Sequence, residues 1–226
     1  MTSEHQHSVR TFKRRAGRVT STQEDALARL WPRFGVPADG TRLDLSALFG
    51  RTAPVVLEIG FGMGEATAAM AAAQPDLDVL AADVHTPGHG NLLKLVEAAE
   101  LTNVRLVSGD ARILLASMLP PASLLAVRVF FPDPWPKARH VKRRLVSREF
   151  ADLVAGALID GGTLHVATDI EAYAGQARAV IGAHPGLQVI DTPPWRARTK
   201  FEHRGLDAGR PAYDVAAVRV PRRITG

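Results

Sequence analysis

The chain has 226 residues, 46% of them hydrophobic, enough for one sizeable core with a small extension. With 28 Lys and Arg against 23 Asp and Glu the net charge is +5, and the excess is clustered in residues 10–18 and 137–148, which points to an anionic partner. The absence of cysteine excludes a disulfide scaffold, a thiolate metal site and a cysteine nucleophile and fits a reducing cytoplasm. No apolar run approaches the roughly 18–20 residues that cross a bilayer, and the polar first ten residues lack the apolar h-region of a secretory signal.

Residues 1–25 read as a flexible basic arm, with Arg10, Lys13, Arg14, Arg15 and Arg18 around Phe12 and little apolar periodicity. Residues 26–226 read as a single domain. It begins with a short helix and an irregular Pro/Gly segment over 26–48. From Pro54 short apolar runs alternate with helical stretches. The expected strands are Val55–Ile59, Val79–Ala82, Val104–Val107, Leu124–Phe130, Gly162–Ala167, Leu187–Ile190 and Tyr213–Val220. The expected helices cover 64–73, 91–100, 111–118, 147–158 with Ser147 as N-cap, and 170–182. This alternation predicts an α/β fold with a mostly parallel sheet covered on both faces, and the last two strands, with no long helix between them, are suited to an antiparallel pair.

Two segments carry chemistry. Glu58-Ile59-Gly60-Phe61-Gly62-Met63-Gly64 joins the first strand to a helix, where glycines permit a tight turn and close backbone approach to a ligand. Its spacing is G-x-G-x-G rather than the dinucleotide G-x-G-x-x-G, and an acid precedes it. A carboxylate there opposes a pyrophosphate and suits the cationic amine and sulfonium of S-adenosylmethionine. Asp83 ends the second strand, where an acid accepts ribose hydroxyls, and Asp110 follows the third, where it serves either as an adenine acceptor or as a helix N-cap.

The second segment is Phe130-Phe131-Pro132-Asp133-Pro134-Trp135-Pro136-Lys137, followed by Arg139, His140, Lys142, Arg143 and Arg144. Two prolines stiffen the loop around Asp133, and the basic strip suits phosphates. Trp135 is either a base-stacking ring or a packing tryptophan. Asp169 is either a helix N-cap or a substrate acceptor, and Glu202 either faces the site or pairs with Lys200 or Arg204. His85, His89 and His140 lack the spacing of a metal set.

Assembled, these motifs resemble the bacterial tRNA (guanine-N7-)-methyltransferase family. The resemblance rests on residues 57–66, 83–90, 103–111, 130–144, 167–174 and 199–205, the PDPW loop and the TKFE segment being the most specific. It implies a Rossmann-like class I methyltransferase fold, a seven-stranded, mostly parallel sheet with an antiparallel terminal strand. It implies methyl transfer from S-adenosylmethionine to N7 of guanosine 46 in the tRNA variable loop, leaving S-adenosylhomocysteine. Glu58, Gly60, Gly62, Gly64, Asp83 and Asp110 are the implied cofactor contacts and Asp133 the catalytic residue. Lys137, Asp169, Thr199, Lys200, Phe201 and Glu202 are the implied substrate contacts, with Arg14, Arg15, Arg139, Lys142, Arg143 and Arg144 on phosphates. No metal, membrane or obligate protein partner is implied; a cytoplasmic monomer or homodimer is expected. The chain departs from the family pattern at Asp83, where glutamate is usual, and at Arg128, where a neutral residue is expected. The competing readings are a methyltransferase for another RNA base or for protein, and a non-catalytic RNA-binding module.

Overall fold

The computed structural model describes residues 11, 12 and 17–221, so the expected phosphate contacts Arg14 and Arg15 lie outside the described residues. Thr20-Ser21-Thr22-Gln23 closes a capping box: the Thr20 hydroxyl accepts from the Gln23 N–H while the Gln23 amide oxygen accepts from the Thr20 N–H. Helix α1 (Ser21–Phe34) therefore starts inside the stretch expected to be arm, on a sequence signal that apolar periodicity alone does not register. It runs into strand β1 (Gly35–Pro37), a short helix α2 (Leu45–Phe49) and strand β2 (Val55–Ile59), which is buried along its whole length.

Alternation then follows the pattern of the sequence: α3 (Glu65–Ala73), β3 (Asp78–Asp83), α4 (Thr86–Ala98), β4 (Val104–Ser108), α5 (Ala111–Ile113) widening into a π turn over Leu114–Met118, and β5 (Leu124–Phe130). A 3-10 turn (Ala138–Arg143) precedes α6 (Arg148–Ala157), β6 (Leu158–Thr168), α7 (Glu171–Gly182), β7 (Leu187–Ile190), α8 (Lys200–Asp207) and β8 (Tyr213–Arg219). Ser147 caps α6 as expected, its hydroxyl accepting from the Phe150 N–H.

Eight strands form one sheet in the order β1-β4-β3-β2-β5-β6-β8-β7, parallel except where β8 runs against β6 and β7. The eighth strand, beyond the seven expected, is β1. Three residues ending in proline are too short for a period-2 signal, and Gly35–Pro37 becomes a strand only because β4 offers it an edge. Successive residues of β3 divide between two cores. Leu80 and Ala82 pack with α6 and α7, while Val79 and Ala81 pack with α1, α3 and α4. This two-faced burial is why the strands read as continuous apolar runs.

From β2 the chain builds outward through β3 and β4, then returns to lay β5 on the other flank of β2. Strand order reverses there, and the connections diverge to leave a crevice at the carboxyl ends of β2 and β5. Among the described residues no helix is long and apolar enough to cross a membrane, and no group of acids and histidines is placed to hold a metal ion.

Candidate active site

A cavity of about 390 Å³ opens in that crevice, within the size range of small-molecule sites. Glu58, Gly60, Gly62, Asp83 and Asp110 line it from the ends of three strands. Phe131 and Asp133 line it from the PDPW loop, Asp169 from the end of β6, and Thr199, Lys200 and Phe201 from the start of α8. Thr11 and Phe12 of the arm line it as well.

Gly60 and Gly62 have φ of +78° and +61°, and a Cβ on either would meet no atom within 4 Å. Their backbone conformation demands glycine, and their bare faces border open space. Gly64 differs: a Cβ there would come within 2.7 Å of Leu92 Cβ, so this glycine seats α3 against α4 and does not line the cavity. Asp83 binds the loop to β3. Its Oδ2 accepts from the Gly62 N–H at 2.8 Å and its Oδ1 from the Val84 and His85 N–H groups at 2.6 and 3.0 Å. Of about four lone-pair sites on a carboxylate, three are occupied, which leaves one for a ligand hydroxyl. Asp110 takes the N-cap role, accepting from the Arg112 N–H at 2.9 Å at the start of α5, and also lines the cavity.

Glu58 is 3% exposed and its Oε2 has no hydrogen-bond partner. Burial pushes its carboxyl up to about 7, helped by Asp83 and opposed by the Arg128 guanidinium and the Thr67 hydroxyl. An incompletely paired buried acid beside an open cavity fits a cationic ligand group, as the ammonium of S-adenosylmethionine would be. The glycine cradle and the acids of β3 and β4 fit the rest of such a molecule.

The PDPW loop is held in a strained form. Phe131 and Trp135, on either side of Asp133, have φ of +51° and +41°, which side-chain-bearing residues rarely adopt. Several bonds impose it. The Phe131 N–H donates to the Ala167 carbonyl at 2.7 Å, Arg144 Nε to the Pro134 carbonyl at 2.9 Å, and the Trp135 indole to the Thr11 carbonyl at 3.1 Å. Trp135 is buried, with His140 at its edge and the Arg143 guanidinium 5.0 Å from its ring centroid. It is a packing tryptophan, and the base-stacking reading falls.

The basic strip likewise separates into parts. In a 3-10 turn residues three apart share a face. Arg139 and Lys142 point outward with Lys137, whereas His140 and Arg143 turn to Trp135. Arg144, expected on phosphate, is buried; it donates to Pro134 and Gln176 and lies over the Tyr173 ring. Its work is to hold the loop.

The TKFE segment opens helix α8, with the Thr199 hydroxyl accepting from the Glu202 N–H. The threonine and the acid three residues later were the available signal. Glu202 is buried and paired with Arg196 rather than Lys200 or Arg204, so it faces away from the cavity. Arg196 also bonds Asp214, which accepts from His165, and its guanidinium lies 5.4 and 5.7 Å from the Phe130 and Phe131 rings. Burial alone would raise the Asp214 carboxyl; the hydrogen bonds from His165 and Arg196 hold it well below the usual range. Nothing in the sequence singles out Arg196, whose partners lie 6 and 18 residues away. Phe201 is 49% exposed with its ring 5.4 Å from Phe131. Asp169 pairs with Arg210 at 3.1 Å, and Ile170 takes the cap position of α7.

A family model described as "Putative methyltransferase" matches residues 52–215. The tRNA (guanine-N(7)-)-methyltransferase of Streptomyces avermitilis is 53% identical over 98% of this chain and 79% of its own length. The chain belongs to the tRNA (guanine-N(7)-)-methyltransferase family. The enzyme of that name from Nitrosospira multiformis is 51% identical over 92% of this chain and 93% of its own. Among solved structures, the aminoglycoside resistance methyltransferases NpmB1 and Kmr align with TM-scores of 0.53 and 0.52 at 18% and 17% identity. They cover 90% and 91% of this chain, and 95% and 96% of their own. That likeness shows the class I methyltransferase fold alone. Within the family frame, the seven core strands stand as expected, and β1 extends the sheet at one edge.

Proposed function

We propose that this chain transfers a methyl group from S-adenosylmethionine to N7 of guanosine 46 in the variable loop of tRNA, leaving S-adenosylhomocysteine. The observation that carries the reading is one cavity with two differently built walls. On one, Glu58, Asp83, Asp110 and the bare glycine backbone match a cationic nucleoside. On the other, a strained loop aims a single carboxylate, Asp133.

The bound cofactor supplies an electrophilic methyl group on a sulfonium, a leaving group that departs neutral. Guanine N7 already holds an in-plane lone pair, so no residue has to remove a proton from it. The N–C bond forms as the C–S bond breaks, and the positive charge passes from sulfur to the purine. Asp133 accepts from guanine N1–H and the 2-amino group, which selects guanine over adenine and turns N7 toward the methyl. Its charge also stabilises the cationic product ring. Holding the two reactants in line supplies up to about 7–11 kcal/mol of the barrier, which is why a rigid loop matters here. Phe131 and Phe201 supply aromatic surface for the base, and Thr199, Lys200 and Asp169 polar contacts.

Lys137, Arg139 and Lys142 contact phosphates, joined by Arg14 and Arg15 of the basic arm that precedes α1, while Arg143 covers Trp135; the catalytic domain runs from α1 onward. Arg144 and Glu202 act from behind, by holding the loop and α8. The tRNA substrate implies a cytoplasmic enzyme, acting without a protein partner as a monomer or homodimer.

The test is methylation of a tRNA transcript with labelled cofactor, followed by nucleotide mapping. Transfer is expected at the variable-loop guanosine and lost when it is replaced by adenosine; label at another base would replace this reading by another RNA methyltransferase. Asp133→Asn should cut kcat by at least about 10²-fold, the order of one preorganised charge-stabilising group, with S-adenosylhomocysteine affinity unchanged.

A further inference from the structure

Arg128 stands in the middle of an apolar strand and is 6% exposed, an expensive place for a guanidinium. Strand register explains its position. Glu58 of β2 is paired with Arg128 of β5, and Arg128 with His165 of β6, so the three side chains stand in one row on the same face of the sheet. That face is covered by α3. From it Met70 Sδ lies 3.5 Å from the guanidinium, and Gln74 at the helix end accepts from it at 2.9 Å. Both of these contacts are neutral. The charge on Arg128 therefore acts across the strands, and its counterpart is Glu58. Glu58 also faces Asp83 of β3 and Thr67 of α3; on the far side of Arg128, His165 is engaged by Asp214 of β8.

We propose that Arg128 is a positioning residue for cofactor capture. Its fixed positive charge, one strand away, biases the buried Glu58 carboxyl toward the ionised form that receives the cofactor's α-ammonium. The inference rests on the functional reading above, in which Glu58 takes that amine. The acid at the strand end is the visible half of the site; the arginine is the half that biases the acid toward its charged form in a medium that favours the neutral one. Burial drives the Glu58 carboxyl toward neutrality and Arg128 opposes it, so loss of Arg128 moves the pH at which this acid charges upward.

The test is calorimetric titration of the full chain with S-adenosylhomocysteine from pH 6 to 8.5, for the unaltered protein, Arg128→Met and Arg128→Lys. 5′-Methylthioadenosine, which lacks the amino-acid tail, is the control ligand. Affinity should fall on the acid side of a breakpoint in the unaltered protein. Arg128→Met should move that breakpoint to higher pH, each pH unit of movement weakening binding about tenfold on its acid side. Arg128→Lys should restore the original profile, and methylthioadenosine should bind all three alike. Should the methionine variant fail to fold, Arg128→Gln replaces it. An unmoved breakpoint, or an equal loss with both ligands, would overturn the proposal. If the unaltered protein bound neither ligand, the methyl-transfer reading would fall and this inference with it.

Discussion

Replacing Arg196 by methionine tests how α8 is held against the sheet. The substitution keeps an unbranched chain between the Phe130 and Phe131 rings and the strand beneath, but strips the charge from a group only 8% exposed. Two carboxylates then face each other without it: Glu202, 7% exposed, and Asp214, 25% exposed. Removing one member of a buried ion pair costs about 3–5 kcal/mol. Asp214 keeps His165 and some solvent, so the lower end, about 3 kcal/mol, applies. At roughly 2–4 °C per kcal/mol for a domain of this size, Tm should drop by about 6–12 °C at pH 7.

The pH dependence has a definite sign. A carboxyl whose folded pKa is depressed, as that of Asp214 is, contributes stability that is present above its unfolded value near 4. That contribution is lost as pH falls through the folded value. The gap between variant and parent should therefore be full at pH 6–8 and close as the pH is taken below about 4. Thermal melts followed by circular dichroism at pH 7 and through a series from pH 4 down to about 2 measure it. Because α8 carries Thr199, Lys200 and Phe201 into the cavity, KM for tRNA should rise while S-adenosylhomocysteine affinity stays unchanged. A Tm at pH 7 within about 2 °C of the parent would refute the reasoning, since an ion triad worth so little cannot be what fixes the helix.

Arg144→Met removes a charged hydrogen bond to Pro134 and the cover over Tyr173. It should cost about 1.5–3 kcal/mol in denaturant unfolding and lower kcat by loosening Asp133, without the change in salt dependence that removing a phosphate-binding side chain produces. Substituting Lys137, Arg139 and Lys142 together by alanine should leave cofactor binding intact. The slope of log tRNA affinity against log salt should become shallower by about 0.7–0.9 for each phosphate no longer neutralised, measured by filter binding over a salt series. Gly62→Ala forces a Cβ onto a residue at φ +61°, a strain of about 1–2 kcal/mol, and points it into the space a ligand would fill. Cofactor affinity should drop more steeply than Tm; a variant binding S-adenosylhomocysteine as tightly as the parent would remove this loop from the cofactor site.

Much of this molecule is written locally. The run Val55–Ile59, the glycines after it and the alternation through Gly182 are enough to set a parallel sheet with its acids at one rim, because burial on both faces and the left-handed turns at Gly60 and Gly62 each constrain a few adjacent residues. Ser147, Thr199 and the Thr20–Gln23 pair are local signals too, each a side-chain oxygen placed to meet the first free N–H groups of a helix. Other features rest on residues far apart in the chain, and only the tertiary structure decided them. A basic strip that reads as uniform divides into an outward Lys137, Arg139 and Lys142, a ring-covering Arg143 and a buried Arg144, because Tyr173 and Gln176 arrive from α7 to receive the last. Trp135 is turned inward by the carbonyl of Thr11, 124 residues away. Glu202 is drawn from the site by Arg196, which Asp214 anchors from its other side, and Arg128 becomes intelligible only once β5 lies beside β2 and brings it level with Glu58. Periodicity and capping report on neighbours along the chain; the partner of a buried charge is chosen by whichever strand or helix folds next to it, and no local pattern names that partner in advance.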